Sequence, residues 1–417
     1  MNLHIEYIDY GSEILPLFLP EHAAQLCVSD PEKTINPKEF TLRLRSMLQQ
    51  ANLDLSNPVI VVADKTRLCG YPEYLPILVE ELVAHGMDPS SAKFTIAYGT
   101  HPPQTREECL VAYGEIYDKH TFIHHNASDK DLFTQLGKTN KNTPIRLRKD
   151  LLNASAVITM GAVCHHYFAG YGGGRKLIFP GCGEKEAIYA NHSLFLDARM
   201  KKLAAGCQPG NLVENPLADD LFEIEEYLPA HLSIHGLLDS NGTLCDLLVG
   251  SGREIFNEAC RRQGKSCEIS SEQFDTVVAS CGGYPKDINF IQAHKAIHNS
   301  AMFVKDGGLL LAYCECRDSV GSTTFLPWFE KGSFETAFNL LAQNYEGNGG
   351  TALAMMTKLQ RIRIGLVTSL NADILTKIGV EQWDHNLICN HIATKGADKS
   401  IAYISNASLL VKKSLQY

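Results

Sequence analysis

The sequence predicts an α/β fold with two domains, each built on a mainly parallel sheet flanked by helices. The chain has 417 residues, which is more than one ordinary core accommodates. Its strand-like segments are short and almost entirely apolar, as expected of parallel strands that are buried on both faces. Segments with helical periodicity separate them, and this alternation of strand and helix is typical of the α/β class.

The predicted elements can be followed in chain order. The first clear strand is PVIVVA at 58–63, and the segment 74–85 behind it has apolar residues at helical spacing. Thr105 and Glu108 form a capping box, which predicts a helix that begins there and ends near Gly114. Further strands are predicted at 94–98, 156–160 and 274–279.

A polar segment at 264–273 marks the predicted domain boundary and is interpreted as a linker. Residues 1–270 are expected to form the N-terminal domain, and residues 271–400 the C-terminal domain that closes the substrate site. Short apolar segments between 400 and 411 predict a strand that returns to the first sheet, so that about 401–417 complete the N-terminal domain. The active site is expected at the carboxyl ends of the strands, in the interdomain cleft.

Composition argues against several classes of protein. The formal net charge is -9, and an acidic chain lacks the basic surface that nucleic acids require. No apolar segment approaches the ~20 residues of a membrane-spanning helix. The 13 cysteines are odd in number and scattered, and no signal-peptide pattern is present, so we expect reduced thiols and a cytoplasmic location. The expected partner is a small molecule, with no nucleic acid and no membrane.

Ionisable or glycine-rich segments directly follow four of the predicted strands. Because parallel strands of one sheet present their carboxyl ends at the same edge, where ligands of open α/β sheets bind, these segments predict a composite site. The segments are DKTR at 64–67, GTH at 99–101, AGYGGGRK at 169–176 and GGYPKD at 282–287.

The glycine-rich segment has its own chemical meaning. Gly173 and Gly174, after Gly172, would let backbone N–H groups approach an anion, with the positive charges of Arg175 and Lys176 alongside. The segment is not a P-loop, because Lys176 is followed by leucine instead of serine or threonine. A glycine hairpin with solvated charges is the alternative interpretation.

Three histidines are candidate ligands or acid–base groups: His101, His166 and His192. Their spacing matches no helical zinc motif, so a three-histidine site is not established, while one histidine could still bind a metal held mainly by another group. Two hypotheses remain open from the residues alone. They are a zinc-type lyase or hydrolase that uses these histidines, and a non-catalytic nucleotide or anion sensor that uses the glycines.

Five segments resemble the nickel-dependent lactate racemase family. The resemblance covers about residues 56–300, and the central segment is highly specific because it is not a general fold motif. The segments are DKTR (64–67), GTHPPQTREE (99–108), HYFAGYGGGRK (166–176), ANHS (190–193) and GGYPKDINFIQAHK (282–295).

The resemblance implies an isomerase that racemises or epimerises a 2-hydroxy carboxylic acid. The implied cofactor is nickel in a pincer nucleotide, pyridinium-3-thioamide-5-thiocarboxylic acid mononucleotide, which accepts hydride reversibly and gives a 2-keto acid intermediate. Separate maturation enzymes are implied as partners. The implied roles are covalent tether for Lys176, nickel ligand for His192, acid–base catalysis for His101 and His166, substrate-carboxylate binding for Arg67 and Lys295, and lining of the cofactor and substrate site for Asp64, Thr66 and Gln292.

The sequence also departs from the family pattern. Ile291 stands where lactate-type members have an aromatic residue, and Lys65 replaces a histidine. An aromatic residue expected in the second domain has no obvious counterpart. The substrate is therefore expected to be lactate-like or larger, for example an aldonate.

Overall fold

The computed structural model describes residues 3–395 and 400–413. The chain forms two compact units. The first, called here the central unit, consists of Asp30–Leu194 and Asn211–Lys265. The second, called the terminal unit, consists of Met1–Ser29, Phe195–Gly210 and Ser266–Tyr417. Each contains a largely parallel sheet flanked by helices, which confirms the predicted fold class.

The sheet of the central unit has six strands. Every neighbouring pair is parallel except the edge pair Leu232–Leu238 and Leu244–Gly250. The strand Pro58–Ala63 is buried at every position, as its apolar sequence predicts. In spatial order the strands are Leu244–Gly250, Leu232–Leu238, Ala156–Ala162, Pro58–Ala63, Lys93–Ala97 and Thr121–His124.

The strand order of this sheet reverses between Pro58–Ala63 and Ala156–Ala162. From Pro58–Ala63 the chain adds Lys93–Ala97 and Thr121–His124 on one side, and it then crosses to Ala156–Ala162 on the other side. Ligands of open α/β sheets bind beyond the carboxyl ends of the strands at such a reversal. The topology therefore places DKTR and the glycine-rich segment at a preferred binding position.

Helices cover this sheet, and local sequence sets their ends. The predicted capping box is present, with the Thr105 and Glu108 side chains each accepting from the other residue's backbone N–H, and the helix ends at Gly114 as predicted. The helices are Pro37–Ala51, Tyr71–Ala84, Arg106–Tyr113, Ile116–Lys119, Lys149–Leu152, Lys185–Ser193, Pro216–Glu225 and Gly252–Cys267. Two antiparallel pairs complete the unit: Phe133–Lys138 with Pro144–Arg148, and Cys164–His166 with Gly170–Gly172.

The sheet of the terminal unit has six strands, all of which pair in parallel. In spatial order they are Glu381–Trp383, Arg363–Val367, Val304–Tyr313, Phe274–Ser280, Ile401–Ile404 and Ala24–Leu26. The helices of this unit are Phe290–Ala301, Phe334–Gln343, Gly349–Arg361, Ala372–Ile378 and His385–Lys395. Two short strand pairs also belong to it: Leu196–Asp197 with Lys202–Leu203, and Glu268–Ile269 with Val411–Lys412.

An N-terminal hairpin, not foreseen from the sequence, also lies in the terminal unit. Its strands are Leu3–Tyr10 and Glu13–Pro20. One face of the hairpin buries Ile8, Leu17 and Leu19 in the same apolar cluster as the sheet residue Val278. The hairpin is therefore part of this unit's core.

Two predictions about domain organisation are wrong. The strand Ile401–Ile404 pairs with Phe274–Ser280 and Ala24–Leu26, so the segment from about 401 completes the terminal sheet and not the sheet that contains 58–63; residues 414–417 of that prediction lie outside the described residues. The polar segment 264–273 is not a plain linker, because it contains the end of the helix Gly252–Cys267 and the strand Glu268–Ile269. The strand Ile401–Ile404 is buried at every position, and an apolar strand is compatible with either sheet. The polar residues near 264 belong to the end of an amphipathic helix, which polarity alone did not indicate.

Over residues 3–395 and 400–413, no helix combines the length and the hydrophobicity that are needed to cross a bilayer.

Candidate active site

The loops at the strand reversal of the central unit hold most of the predicted site residues. The strand Pro58–Ala63 leads into a short 3₁₀ turn, Lys65–Arg67, and Ala156–Ala162 leads into the pair Cys164–His166 and Gly170–Gly172. The Arg67 guanidinium contacts the Cys164 sulfur at 3.9 Å. The two loops therefore meet beyond the strand ends, as the sequence predicted.

Asp64 organises the first of these loops. Its Oδ1 accepts from the Thr66 backbone N–H at 2.9 Å and from the Thr66 hydroxyl at 2.5 Å, and its Oδ2 is 2.7 Å from His101 Nδ1. Burial raises the pKa of Asp64, but the hydrogen bond and charge of His101, together with the Thr66 bonds, outweigh it and lower the pKa to about 2. Asp64 is therefore an ionised carboxylate that orients His101.

The contact with Asp64 fixes the tautomer of His101. An ionised carboxylate only accepts hydrogen bonds, so Nδ1 carries the proton and Nε2 of the neutral ring carries the lone pair. The His101 side chain is half exposed, at 50%. An imidazole oriented in this way is the arrangement of a general base.

His166 has the opposite arrangement. Its Nδ1 accepts from the backbone N–H groups of Phe168 and Ala169 at 3.2 and 3.1 Å, so the proton of the neutral ring is on Nε2. His165, on the next position of the strand, packs its ring against Tyr171 instead, with centroids 4.8 Å apart. His166 is therefore set up as a hydrogen-bond donor at Nε2, and the two adjacent histidines have different surroundings, as neighbouring residues of a strand do.

The glycines serve close packing of the second loop. Gly173 has a φ of 77°, and a Cβ there would lie 2.5 Å from the Ala162 carbonyl oxygen. Gly174 has a φ of 53°, and its Cβ would lie 2.5 Å from the Phe256 ring. The absence of side chains brings the 3₁₀ turn that carries Lys176 against the end of the strand Ala156–Ala162. Anion binding by the N–H groups of these glycines stays a prediction.

Arg175 does not lie beside Lys176 as a solvated charge. Its guanidinium is stacked on the Phe222 and Phe256 rings, 3.9 and 4.8 Å from their centroids. Among the described residues, none of its three side-chain nitrogens has a hydrogen-bond partner. Burial is the main cause that lowers the pKa of Arg175 to about 10. The solvated-hairpin alternative is therefore excluded for this residue.

Lys176 is partly buried at the centre of these groups. Burial lowers the pKa of its amine well below the usual value, and the charges of Arg67 and Arg175 lower it further. A lowered pKa favours the unprotonated amine, which is the nucleophilic form of a lysine. This state suits a lysine that forms a covalent bond.

The helix that carries His192 fixes the tautomer of its ring. In the helix Lys185–Ser193, its Nδ1 lies 2.8 Å from the Ile188 carbonyl oxygen and must donate to it, so Nε2 carries the lone pair. Burial, then the charge of Lys176, lowers the pKa of His192 to about 4 and keeps the ring neutral. A histidine whose second nitrogen donates to a carbonyl is the usual form of a metal-binding histidine.

Gln292 and Lys295 lie on the terminal unit, while the other predicted site residues lie on the central unit. Asn289 caps the helix Phe290–Ala301 by accepting from the Gln292 N–H. One helical turn apart, the Lys295 ammonium donates to Gln292 Oε1 at 2.6 Å. The amide thus orients the ammonium group.

The zinc hypothesis does not gain support from the geometry. Over residues 3–395 and 400–413, no three His, Cys, Asp or Glu side chains form a group that would hold a metal ion. His101 instead binds Asp64, and His192 binds its own helix.

Sequence reasoning missed two supporting residues of the site. The side-chain oxygen of Gln104 accepts from the Lys65 N–H at 2.8 Å and from the Tyr113 hydroxyl at 3.3 Å. Gln104 therefore joins the segment 99–108 to the segment 64–67. Cys164 contacts Arg67. Gln104 lies inside the GTHPPQTREE segment, but nothing in its type indicated a contact with DKTR.

Two family models match the chain, and together they cover more than half of it. They are the lactate racemase N-terminal domain, over residues 36–203, and the lactate racemase C-terminal domain, over residues 269–348. The chain belongs to the lactate racemase family. It is accordingly an isomerase of the racemase type.

Individual relatives agree with this assignment. The lactate racemase of Thermoanaerobacterium thermosaccharolyticum is 25% identical over 336 residues, which are 78% of this chain and 77% of the relative. The lactate racemase of Lactiplantibacillus plantarum is 27% identical over 271 residues, 64% of this chain and 62% of the relative.

Two solved structures show the same fold. The lactate racemase apoprotein from Thermoanaerobacterium thermosaccharolyticum has a TM-score of 0.88 at 22% identity and covers 99% of this chain and 100% of that one. A protein from Thermotoga maritima has a TM-score of 0.67 at 14% identity, with coverage of 92% and 100%.

Proposed function

We propose that this racemase inverts C2 of a 2-hydroxy carboxylic acid, lactate or a larger substrate such as an aldonate. The observation that carries the proposal is the pair of oriented histidines with opposite proton positions, His101 and His166, in the unit that also holds Lys176 and His192. Inversion needs a base that takes up and returns the hydroxyl proton and a donor that holds the C2 oxygen. The absence of an aromatic residue at Ile291 supports a substrate larger than lactate.

The donor set fits the nickel-pincer nucleotide that the family resemblance implies. Lys176 has the lowered pKa that a tethering amine requires, and His192 presents an Nε2 lone pair for nickel. Asp64, Thr66, Gly173 and Gly174 would line the cofactor. When bound, the nucleotide supplies an electrophilic pyridinium ring that accepts the C2 hydrogen as hydride, which avoids a poorly stabilised carbanion.

The protein's own residues then manage protons and charge. His101 Nε2 accepts the hydroxyl proton, and Asp64 stabilises the imidazolium that results. His166 Nε2–H donates a hydrogen bond to the C2 oxygen, and the proton held by His101 returns to that oxygen, so both rings are neutral again after each turnover. The family resemblance implies that Arg67 and Lys295 bind the substrate carboxylate, and Gln292 orients Lys295. The oxidised substrate is a planar 2-keto acid, to which the hydrogen can return on either face.

Cellular context follows from the same proposal. A complex nucleotide requires separate maturation enzymes as partners, and the remaining partner is the small-molecule substrate. A cytoplasmic location is supported by the 13 cysteines, all of which are free.

The decisive experiment is intact-mass analysis and peptide mapping of the natively matured protein, combined with chiral assays on a panel of 2-hydroxy acids. We expect an adduct on Lys176, bound nickel and racemisation that retains deuterium at C2. Lys176→Arg should lose all three, and Lys149→Met, at an exposed lysine of the same unit, should keep them. Full racemisation by a protein with unmodified Lys176, or wash-out of the C2 label to water, would contradict the proposal.

A further inference from the structure

A cavity of about 360 Å³ adjoins His101 within the central unit. Its walls are the loops 99–103 and 124–128 together with Lys185 and Tyr189 from the helix Lys185–Ser193. The volume lies at the lower end of the ~300–1,000 Å³ typical of small-molecule sites. Arg67 and Lys176 do not line it, so it is a compartment beyond the groups assigned to the substrate carboxylate and the tether.

The residues that line this cavity include a positively charged side chain and no carboxylate. Lys185 is its only lysine or arginine, and no Asp or Glu belongs to it. The nearest acidic residues in the helix are committed elsewhere: Glu184 accepts from the Ala187 N–H, and Glu186 pairs with Lys130.

The cavity also presents hydrogen-bond donors that the described part of the chain does not use. Lys185 is exposed, and its ammonium has no ion pair there. Asn126 Oδ1 accepts from the Ser128 N–H at 3.1 Å, which leaves the amide NH₂ as a donor. Thr100 adds a hydroxyl group.

Two other lining histidines do not contribute. His124 bonds the Tyr98 and Tyr117 hydroxyls through both ring nitrogens, and His125 bonds the Gly183 carbonyl and Arg148. They support the wall and leave ligand binding to Lys185, Asn126 and Thr100.

We propose that this cavity binds an anionic, oxygen-rich group, a phosphate or a carboxylate, through Lys185 with support from Asn126 and Thr100. Since His101 borders the cavity, two sources are at hand: a second anionic group on the far end of the substrate, or the phosphate of the tethered mononucleotide. The identity of these two sources rests on the proposed function. The anion site itself is inferred from the residues that line the cavity.

Binding to the full-length, cofactor-free chain tests the proposal without turnover. Two probe pairs each differ by one phosphate: 3-phosphoglycerate with glycerate, and nicotinic acid mononucleotide with its riboside. We expect the phosphate-bearing member of at least one pair to bind about 10-fold tighter by isothermal titration calorimetry, which corresponds to one charge-assisted contact.

The matched variants identify the residues. Lys185→Met should abolish this preference, whereas Lys149→Met, also exposed and also the first residue of its helix, should retain it. Asn126→Asp keeps an oxygen for the Ser128 N–H but places a negative charge in the cavity, so it should fold and lose the preference. Thermal unfolding checks that each variant is folded.

The outcomes separate the sources. A Lys185-dependent preference in the glycerate pair supports a substrate with a second anionic group, and one in the mononucleotide pair supports the cofactor phosphate. No preference in either pair, or an unchanged preference in Lys185→Met, would overturn the anion site. Intact anion binding by a matured protein that racemises nothing would overturn the proposed function and leave the anion site standing.

Discussion

At the scale of single residues, the protein distinguishes two histidines by what their Nδ1 atoms contact. A carboxylate holds His101 and two backbone N–H groups hold His166, so the resting rings carry their protons on opposite nitrogens. His101 is consequently ready to accept a proton at Nε2, and His166 is ready to donate a hydrogen bond from Nε2. Sequence indicated both residues, but their protonation depends on contacts with Asp64 and with the turn at Phe168, which no spacing reveals.

This difference predicts unequal effects of a glutamine substitution. The amide NH₂ of glutamine can replace a hydrogen-bond donor, but it cannot act as a base. We therefore expect the His166→Gln variant to be at least ~10-fold more active than the His101→Gln variant. Steady-state racemisation by the matured variants measures this. Matching alanine variants at both positions are the control, and equal losses in the two glutamine variants would contradict the assignment.

Asp64 carries a prediction about pH. Its pKa is lowered from 3.8 to about 2 in the folded chain, so it stabilises the fold above pH ~4, and this contribution disappears as the pH falls towards 2. Asp64→Asn should reduce the free energy of unfolding by about 2 kcal/mol at pH 7, with the gap to wild type closing between pH 4 and 2. Urea unfolding at a series of pH values checks it. A gap independent of pH would show that the carboxylate is not held in its charged form.

At the scale of elements, the glycine-rich segment differs from what its sequence predicts. The sequence predicts that backbone N–H groups of the glycines approach an anion and that Arg175 is a neighbouring positive charge. In the structure Gly173 permits contact with the Ala162 carbonyl, and Arg175 is buried between two phenylalanine rings. The capping box at Thr105 was predictable because its contacts span three residues, whereas the partners of Arg175 come from distant helices.

The turn at Gly173 predicts a large cost for a single methyl group. Gly173→Ala would combine a φ of 77° with a Cβ 2.5 Å from a backbone oxygen that cannot rotate away, so we expect a loss of at least ~3 kcal/mol. Gly86→Ala is the control, because Gly86 also has a positive φ, 101°, but has nothing within 4 Å of the added Cβ. Its expected cost is about 1–2 kcal/mol, from backbone strain alone. Chemical denaturation compares the two, and equal losses would rule out the close contact as the cause.

At the scale of the whole molecule, the sequence predicted the strands better than their partners. The segments at 58–63, 94–98, 156–160 and 274–279 all form buried strands. The segment near 401 was also recognised as apolar, but an apolar strand is compatible with either sheet. Its pairing with Phe274–Ser280 depends on packing that involves both ends of the chain.

This pairing predicts that a substitution in Ile401–Ile404 destabilises the terminal sheet and leaves the stability of the central sheet unchanged. Ile401 is 2% exposed and lies in the apolar cluster of the terminal unit, so Ile401→Asp should cost ~4 kcal/mol or more there. Hydrogen exchange should accelerate in Phe274–Ser280 and remain slow in Pro58–Ala63, because each sheet has its own core. Ser405→Asp, at an exposed position just past the strand, is the control. Equal acceleration in both sheets would contradict the separation.

The strand Ala24–Leu26 has a further consequence, which concerns how the protein is made. It pairs with Ile401–Ile404, whereas every strand of the sheet in the unit that holds Lys176 has been synthesised by Gly250. On the ribosome, the central unit can therefore finish folding before Ile401–Ile404, the strand that pairs with Ala24–Leu26, has been translated. A nascent chain arrested near residue 300 would present Lys176 in a nearly folded unit, while the N-terminal residues remain accessible to chaperones.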